Sequence, residues 1–105
     1  MKKVKIMLSY SCYPAWLYDD NDNIIDNILP DEISDDSEIK QLLDDIQKTF
    51  DSLFVNDSIV FDYLGFSTEA EKQSFLQKID RVMILIKDKV GHIYTLEKSP
   101  SISSL

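Results

Sequence analysis

Apolar and polar residues alternate at the start of the chain, which is typical of a half-buried strand. Every second position there carries an apolar side chain, at Val4, Ile6, Leu8 and Tyr10. A second short strand is predicted at residues 15–18, after Pro14. Residues 19–23 are Asp and Asn only, and such residues favour turns because their side chains bond the nearby backbone. The turn therefore predicts a hairpin that Ile24 and Ile25 complete.

Two later segments carry apolar residues at helical spacing. Asp35 is expected to cap the first helix, with Glu38 completing a capping box. The buried stripe of this helix is predicted at Ile39, Leu42, Leu43, Ile46 and Phe50. The second helix is expected to begin at Ser67 or Thr68 and to be capped by Gly91. Its predicted stripe is Phe75, Leu76, Ile79, Val82, Met83 and Ile86.

Two further strands are predicted at residues 58–66, between the helices, and at residues 92–96, after the second helix. Together the elements predict an α+β fold, in which two amphipathic helices pack on one face of a small, mostly antiparallel sheet. A length of 105 residues fits one domain. We expect this domain to span residues 1–98, with the serine-rich residues 99–105 as a flexible C-terminal tail. The pattern leaves the order of the strands open.

Net charge is the feature of the composition that most restricts which partners the chain can bind. The net charge is −8, which disfavours direct binding to nucleic acid or to an anionic membrane and favours a basic partner. Residues 6–39 contain no Lys or Arg but hold nine of the nineteen acidic residues. An acidic surface also keeps a protein in solution, but a segregated acidic segment indicates a binding face.

Catalytic and metal-binding patterns are largely missing from the sequence. Cys12 and His92 are the only residues of their types, so a zinc site cannot be built from them. Asp20 and Asp22 begin like a calcium-binding loop, but Ile24 and Ile25 fall where such a loop needs a ligand and a glycine. Two glycines cannot form a phosphate-binding loop. We therefore expect no enzymatic activity, no metal and no cofactor.

The predicted location is the cytoplasm. The basic start of the chain is followed by only three apolar residues before Ser9, which is too short for a signal peptide. No stretch approaches the ~20 apolar residues that a membrane helix needs.

Four aromatic residues, Tyr10, Tyr13, Trp16 and Tyr18, lie just before Asp19, the first acid of this segment. Tyr and Trp are enriched at binding hot spots, but they also serve as core anchors. Tyr10 and Trp16 fit a core role on the sheet, whereas Tyr13 and Tyr18 fit either role. We expect Tyr13 and Tyr18 to anchor a partner, together with acidic contacts at Asp19, Asp20, Asp22, Asp31, Glu32, Asp35 and Asp36.

Four segments resemble small immunity proteins of bacterial polymorphic toxin systems, including contact-dependent growth inhibition systems. They are residues 9–19 (SYSCYPAWLYD), 27–32 (NILPDE), 50–54 (FDSLF) and 61–66 (FDYLGF). The resemblance spans about residues 4–97 and rests on aromatic residues, acids and a proline rather than on a catalytic signature.

The resemblance implies that the chain binds and neutralises a cognate toxin domain. Such toxins are often nucleases, so the acidic residues would cover a basic substrate-binding cleft or a surface beside it. Two alternatives remain open at this point: an acidic adaptor or regulator of another basic host protein, and a small enzyme or metal-binding domain.

Overall fold

A computed structural model describes residues 1–56 and 60–105. The six strands are β1 (Lys2–Ile6), β2 (Ala15–Tyr18), β3 (Ile24–Asp26), β4 (Phe54–Asn56), β5 (Phe61–Tyr63) and β6 (Tyr94–Lys98). The two α-helices are α1 (Ser37–Ser52) and α2 (Glu69–Val90). Short 3-10 helices lie at Asp31–Ile33 and Pro100–Ser104.

Four strands form one mixed sheet in the order β3-β2-β1-β6. β2 pairs antiparallel with both β1 and β3, and β6 pairs parallel with β1. The predicted hairpin of β2 and β3 is confirmed. β1 ends at Ile6 rather than at Tyr10, and β6 begins two residues later than expected.

The two faces of this sheet differ in chemistry. Val4 and Ile6 of β1 are fully buried, and their partners in β2, Leu17 and Ala15, lie on the same face. Ile6 and Ala15 belong to the core that also contains the apolar stripes of α1 and α2. The opposite face carries Lys3, Lys5, Trp16, Tyr18 and Glu97. The α+β fold class is thus confirmed.

Both helices form around the predicted apolar stripes. The buried residues of α1 are Ile39, Leu43, Ile46 and Phe50, and those of α2 are Phe75, Ile79, Val82, Ile86 and Val90. Burying each such side chain contributes about 1.5–3 kcal/mol. The helices therefore owe their stability mainly to packing against each other and the sheet.

Two of the three predicted helix caps are confirmed. Thr68 accepts a hydrogen bond from the Glu71 backbone N–H, and Gly91 is the C-terminal cap of α2. The prediction of Asp35 as the cap of α1 is wrong by one residue, because the carboxylate of Asp36 accepts from the Ile39 N–H. Both residues are Asp, so sequence spacing did not distinguish them.

A separate two-stranded sheet follows α1. β4 pairs antiparallel with β5, and Phe54 lies opposite Tyr63. β4 was not predicted, because Leu53 and Phe54 continue the apolar stripe of α1. The predicted strand at residues 58–66 is represented by β5, while its start at Ser58 and Ile59 lies outside the described residues.

Residues 99–105, which their composition predicts to be a flexible tail, contain the 3-10 helix Pro100–Ser104. Ser99 donates its N–H to the Ile6 carbonyl, and the 3-10 helix that follows places Ile102 in the core with 1% exposure. A single isoleucine among serines thus attaches residues 99–105 to the domain.

Candidate protein-interaction surfaces

The first acidic group lies in the turn between β2 and β3. The Asp19 carboxylate accepts hydrogen bonds from the backbone N–H groups of Asn21 and Asn23, at 2.8 and 2.9 Å. These bonds, that from Asn23 foremost, hold the pKa of Asp19 below its ordinary value. Asp22 adopts a positive φ of 63°, which Asp tolerates in a turn. Asp19 therefore organises the turn.

The exposed acids of this turn have cationic neighbours. Asp20 lies 3.2 Å from the Met1 amino group, and Asp22 lies 2.9 Å from the Lys3 ammonium. The carboxylates of Asp22 and Glu97 raise the pKa of Lys3. Because all of these pairs are solvent-accessible, they are weak and can be exchanged for contacts with a partner.

The second acidic group surrounds the start of α1. Asp36 caps the helix and pairs with Lys89 near the end of α2, and Lys89 is the main cause of the lowered pKa of Asp36. Glu32 accepts a hydrogen bond from the Tyr94 hydroxyl at 3.1 Å. Burial and this carboxylate raise the pKa of Tyr94 to about 12. Asp31 and Asp35 are exposed and form no ion pair with any residue in the described ranges.

The two acidic groups lie at the same end of the sheet. Tyr18 of β2 pairs with Lys3, so the turn that follows it lies where β1 begins. Tyr94, which contacts Glu32, pairs with Lys2 at the same end. We call this surface the acidic end and define it by the exposed residues Asp20, Asp22, Asp31, Glu32 and Asp35.

The two tyrosines predicted as anchors do not form an exposed pair at the acidic end. Tyr18 is 9% exposed, with Lys3 and Lys5 above its ring at 5.1 and 5.8 Å. Tyr13 precedes β2 at the other end of the sheet, where its backbone exchanges hydrogen bonds with the Asn27 side chain and its own side chain packs partly buried against the core. Burial, with a smaller effect of Asp44, raises the pKa of Tyr13 to about 12. Both side chains therefore contribute chiefly to packing.

An aromatic patch on β4 and β5 was not predicted as a site. Phe54 stacks on Phe61 with ring centroids 5.2 Å apart, and Tyr10 contacts both rings edge-on. Phe61 is 56% exposed, and Tyr63 is exposed beside it. The alternation of Phe61 and Tyr63 around Asp62 was the available signal. This alternation predicts a strand, but it does not by itself indicate that the aromatic side chains are exposed.

Within residues 1–56 and 60–105, the fold does not bring the single cysteine and the single histidine together. Cys12 precedes β2 and His92 follows α2, so the single cysteine and the single histidine lie at opposite ends of the sheet. No group of three or more His, Cys, Asp or Glu side chains is arranged to hold a metal ion in these ranges. Over the same residues, neither helix is long and apolar enough to cross a membrane.

A family model described as Serratia CdiI immunity protein-like matches residues 2–100. The chain belongs to this family of immunity proteins. No curated protein matches the chain. Membership implies an inhibitor that binds and neutralises a cognate toxin without catalysing a reaction. The match covers both helices and all six strands, and so includes the acidic end and the aromatic patch.

Proposed function

We propose that this immunity protein neutralises a nuclease toxin by placing its acidic end on the basic surface where the toxin binds nucleic acid. The observation that carries this proposal is the position of Asp31 and Asp35. Both carboxylates are exposed at the acidic end, and neither has a cation paired with it among the described residues. Their charge is available to a partner.

The physical basis is competition between two polyanions. Nucleic acid binds proteins mainly through phosphate contacts with Lys and Arg. A rigid surface of carboxylates presents the same charge to the same cations, and a complementary field raises the association rate. Inhibition then requires only that the immunity protein cover this surface of the toxin. Both proteins would meet in the cytoplasm of the producing cell.

The seven predicted acidic contacts differ in the bonds that their carboxylates already make within the chain. Asp19 and Asp36 are committed to the turn and to the helix cap, and Asp20 and Asp22 share their charge with the N-terminus and Lys3. We therefore assign the principal contacts to Asp31, Glu32 and Asp35. Asp20 and Asp22 extend the surface, and Tyr18, the last residue of β2, lies directly before this turn.

Charge reversal tests this assignment. We expect the double variant Asp31→Lys/Asp35→Lys to bind the toxin domain encoded beside this gene about tenfold more weakly, because repulsion replaces attraction at the contact. Binding is measured by calorimetry, with circular dichroism to confirm folding. The matched control is Asp44→Lys/Asp62→Lys, which changes the net charge equally at exposed positions outside the acidic end.

Three outcomes separate the possibilities. If only Asp31→Lys/Asp35→Lys weakens binding to the toxin domain, the result supports the acidic end as the contact surface. Equal weakening by the control pair would mean that net charge matters and its location does not, which overturns the assignment. Unchanged binding by both variants would overturn the electrostatic mechanism. A separate assay tests whether the toxin is a nuclease. The toxin domain should degrade nucleic acid, and adding the wild-type chain should stop this degradation.

A further inference from the structure

The outer edge of β6 and the adjacent flank of α2 form an apolar groove. Its lining includes Met1, Met83, Ile84, Tyr94 and Leu96, and its volume is about 450 Å³. Ile84 is 61% exposed although it lies within a long helix, and Met1 is 68% exposed. An exposed apolar stretch of this kind beside a strand is typical of a binding groove.

The side of β6 that faces away from β1 is an outer edge of the sheet. β6 is the last strand of the sheet, and no strand in the described ranges pairs with its outer edge. Ser99 donates to the Ile6 carbonyl, in the register that places Lys98 opposite Ile6. Backbone groups alternate between the two sides of a strand, so Thr95 and Glu97 also face β1. The N–H and C=O groups of Leu96 and Lys98 therefore point outward.

From this geometry we infer that the groove binds an extended, largely apolar segment of the toxin, which adds to the sheet as a strand beside β6. Outward backbone groups at Leu96 and Lys98 supply the main-chain hydrogen bonds, and Ile84 and Met83 contact alternate side chains of the segment. The inference rests on the proposed function, because it takes the toxin as the partner. It adds a second, apolar part to the interface.

The groove is continuous with the acidic end, which favours the toxin as the occupant. Met1 lines the groove, and its amino group lies 3.2 Å from Asp20. Tyr94 lines it as well, and its hydroxyl donates to Glu32 at 3.1 Å. A partner on the acidic end therefore reaches the groove without a gap. A second copy of the chain is disfavoured, because both copies carry a net charge of −8.

The opposite edge of the sheet is a weaker template and provides a control. β3 has three residues, and its pairing with β2 shifts register between Leu17 and Tyr18. Irregular, short edge strands discourage the addition of another strand. Ile24 in β3 is 55% exposed, close to the 61% of Ile84. Substitution at Ile24 thus matches substitution at Ile84 in chemistry and exposure.

Two variants, each with a matched control, and one hydrogen-exchange measurement test the inference. The probe is the toxin domain encoded beside this gene. Ile84→Gln is expected to weaken binding about tenfold, while Ile24→Gln leaves it unchanged. Lys98→Pro removes one outward N–H and no ladder bond, which an edge strand tolerates. It is expected to weaken binding several-fold relative to Lys98→Ala, which removes only the side chain and its contact with Asp80.

Amide hydrogen exchange gives the residue-level readout on the wild-type complex. The amides of Leu96 and Lys98 should gain protection when the toxin binds, and those of Thr95 and Glu97 should change less because they already bond β1. Unchanged exchange at Leu96 and Lys98, with full affinity in Ile84→Gln, overturns the inference while leaving toxin binding intact. Protection at these amides in the chain alone, with dimers in solution, would assign the edge to a second copy and also overturn it. No toxin binding by the wild-type chain would instead overturn the proposed function.

Discussion

At the residue scale, Asp19 and Asp36 stabilise the fold. The other acidic residues of the segment 6–39 are exposed. Asp19 accepts two backbone N–H groups in its turn, and Asp36 accepts one at the start of α1 beside Lys89. The pKa of both carboxyls lies below its ordinary value, because their hydrogen-bond donors favour the charged form. These two acids thus stabilise the fold, whereas the exposed acids of the same segment are the ones that we propose contact the partner.

The lowered pKa values predict how stability depends on pH. A group whose pKa is lower in the folded state stabilises the fold above its unfolded pKa and loses that effect as the pH falls through the folded pKa. We therefore expect the free energy of unfolding to decrease below about pH 4. The double variant Asp19→Asn/Asp36→Asn should be less stable at pH 7 and show a smaller decrease on acidification.

Chemical denaturation at several pH values measures both effects. The control is Asp20→Asn/Asp35→Asn, which neutralises two neighbouring carboxylates that accept no backbone hydrogen bond of the turn or helix cap among the described contacts. An acid dependence in Asp19→Asn/Asp36→Asn equal to that of the wild type would contradict the roles given to these two residues.

At the scale of elements, the 3-10 helix Pro100–Ser104 is the least expected part of the fold. Ile102 is 1% exposed and belongs to the same core as the helices, whereas the serines around it are polar. One buried isoleucine is a weak signal in sequence, because a helical or strand period needs several apolar positions. Its burial depends on a tertiary contact that only the folded sheet provides.

Ile102→Ala tests whether the last residues belong to the domain. We expect the free energy of unfolding to fall by about 2–4 kcal/mol, since the change removes buried methyl groups and leaves a cavity. Ile84→Ala, at an exposed position, should change it by less than about 0.5 kcal/mol. Equal effects of the two substitutions in urea denaturation would show that residues 99–105 do not contribute to the core.

The elements that could be predicted from sequence are those with a strong local period. The stripes of α1 and α2 were predicted because several apolar residues repeat at helical spacing, and the β2–β3 hairpin because Asp and Asn mark its turn. β4 was missed because Phe54 extends the helical stripe of α1. The parallel pairing of β6 with β1 joins the two ends of the chain, and no local pattern reports such a contact.

The candidate site was predictable in charge but not in shape. The acidic segment was recognised because it lacks Lys and Arg, and its two parts do lie at one end of the sheet. The burial of Tyr18 beneath Lys3 and Lys5 could not be foreseen, because it depends on cross-strand neighbours. The aromatic patch and the groove beside β6 likewise arise from residues distant in sequence.

At the scale of the whole molecule, charge and apolar surface are arranged on different elements. The acidic end lies where β1 and β6 begin, the groove continues from it along β6, and the aromatic patch lies on the separate β4–β5 sheet. An inhibitor built in this way combines electrostatic attraction, which accelerates encounter, with apolar contacts, which slow dissociation. The family to which the chain belongs implies that a cognate toxin is the partner, and we propose that it binds these surfaces.

Calorimetric binding of the wild-type chain to the toxin domain encoded beside its gene, at low and at high salt, tests the central claim most directly. We expect tight binding that weakens as salt rises, because screening reduces the attraction between the acidic end and a basic surface. Tight binding that is indifferent to salt would contradict the electrostatic mechanism. The absence of binding at either salt concentration would contradict the assignment of this toxin domain as the partner.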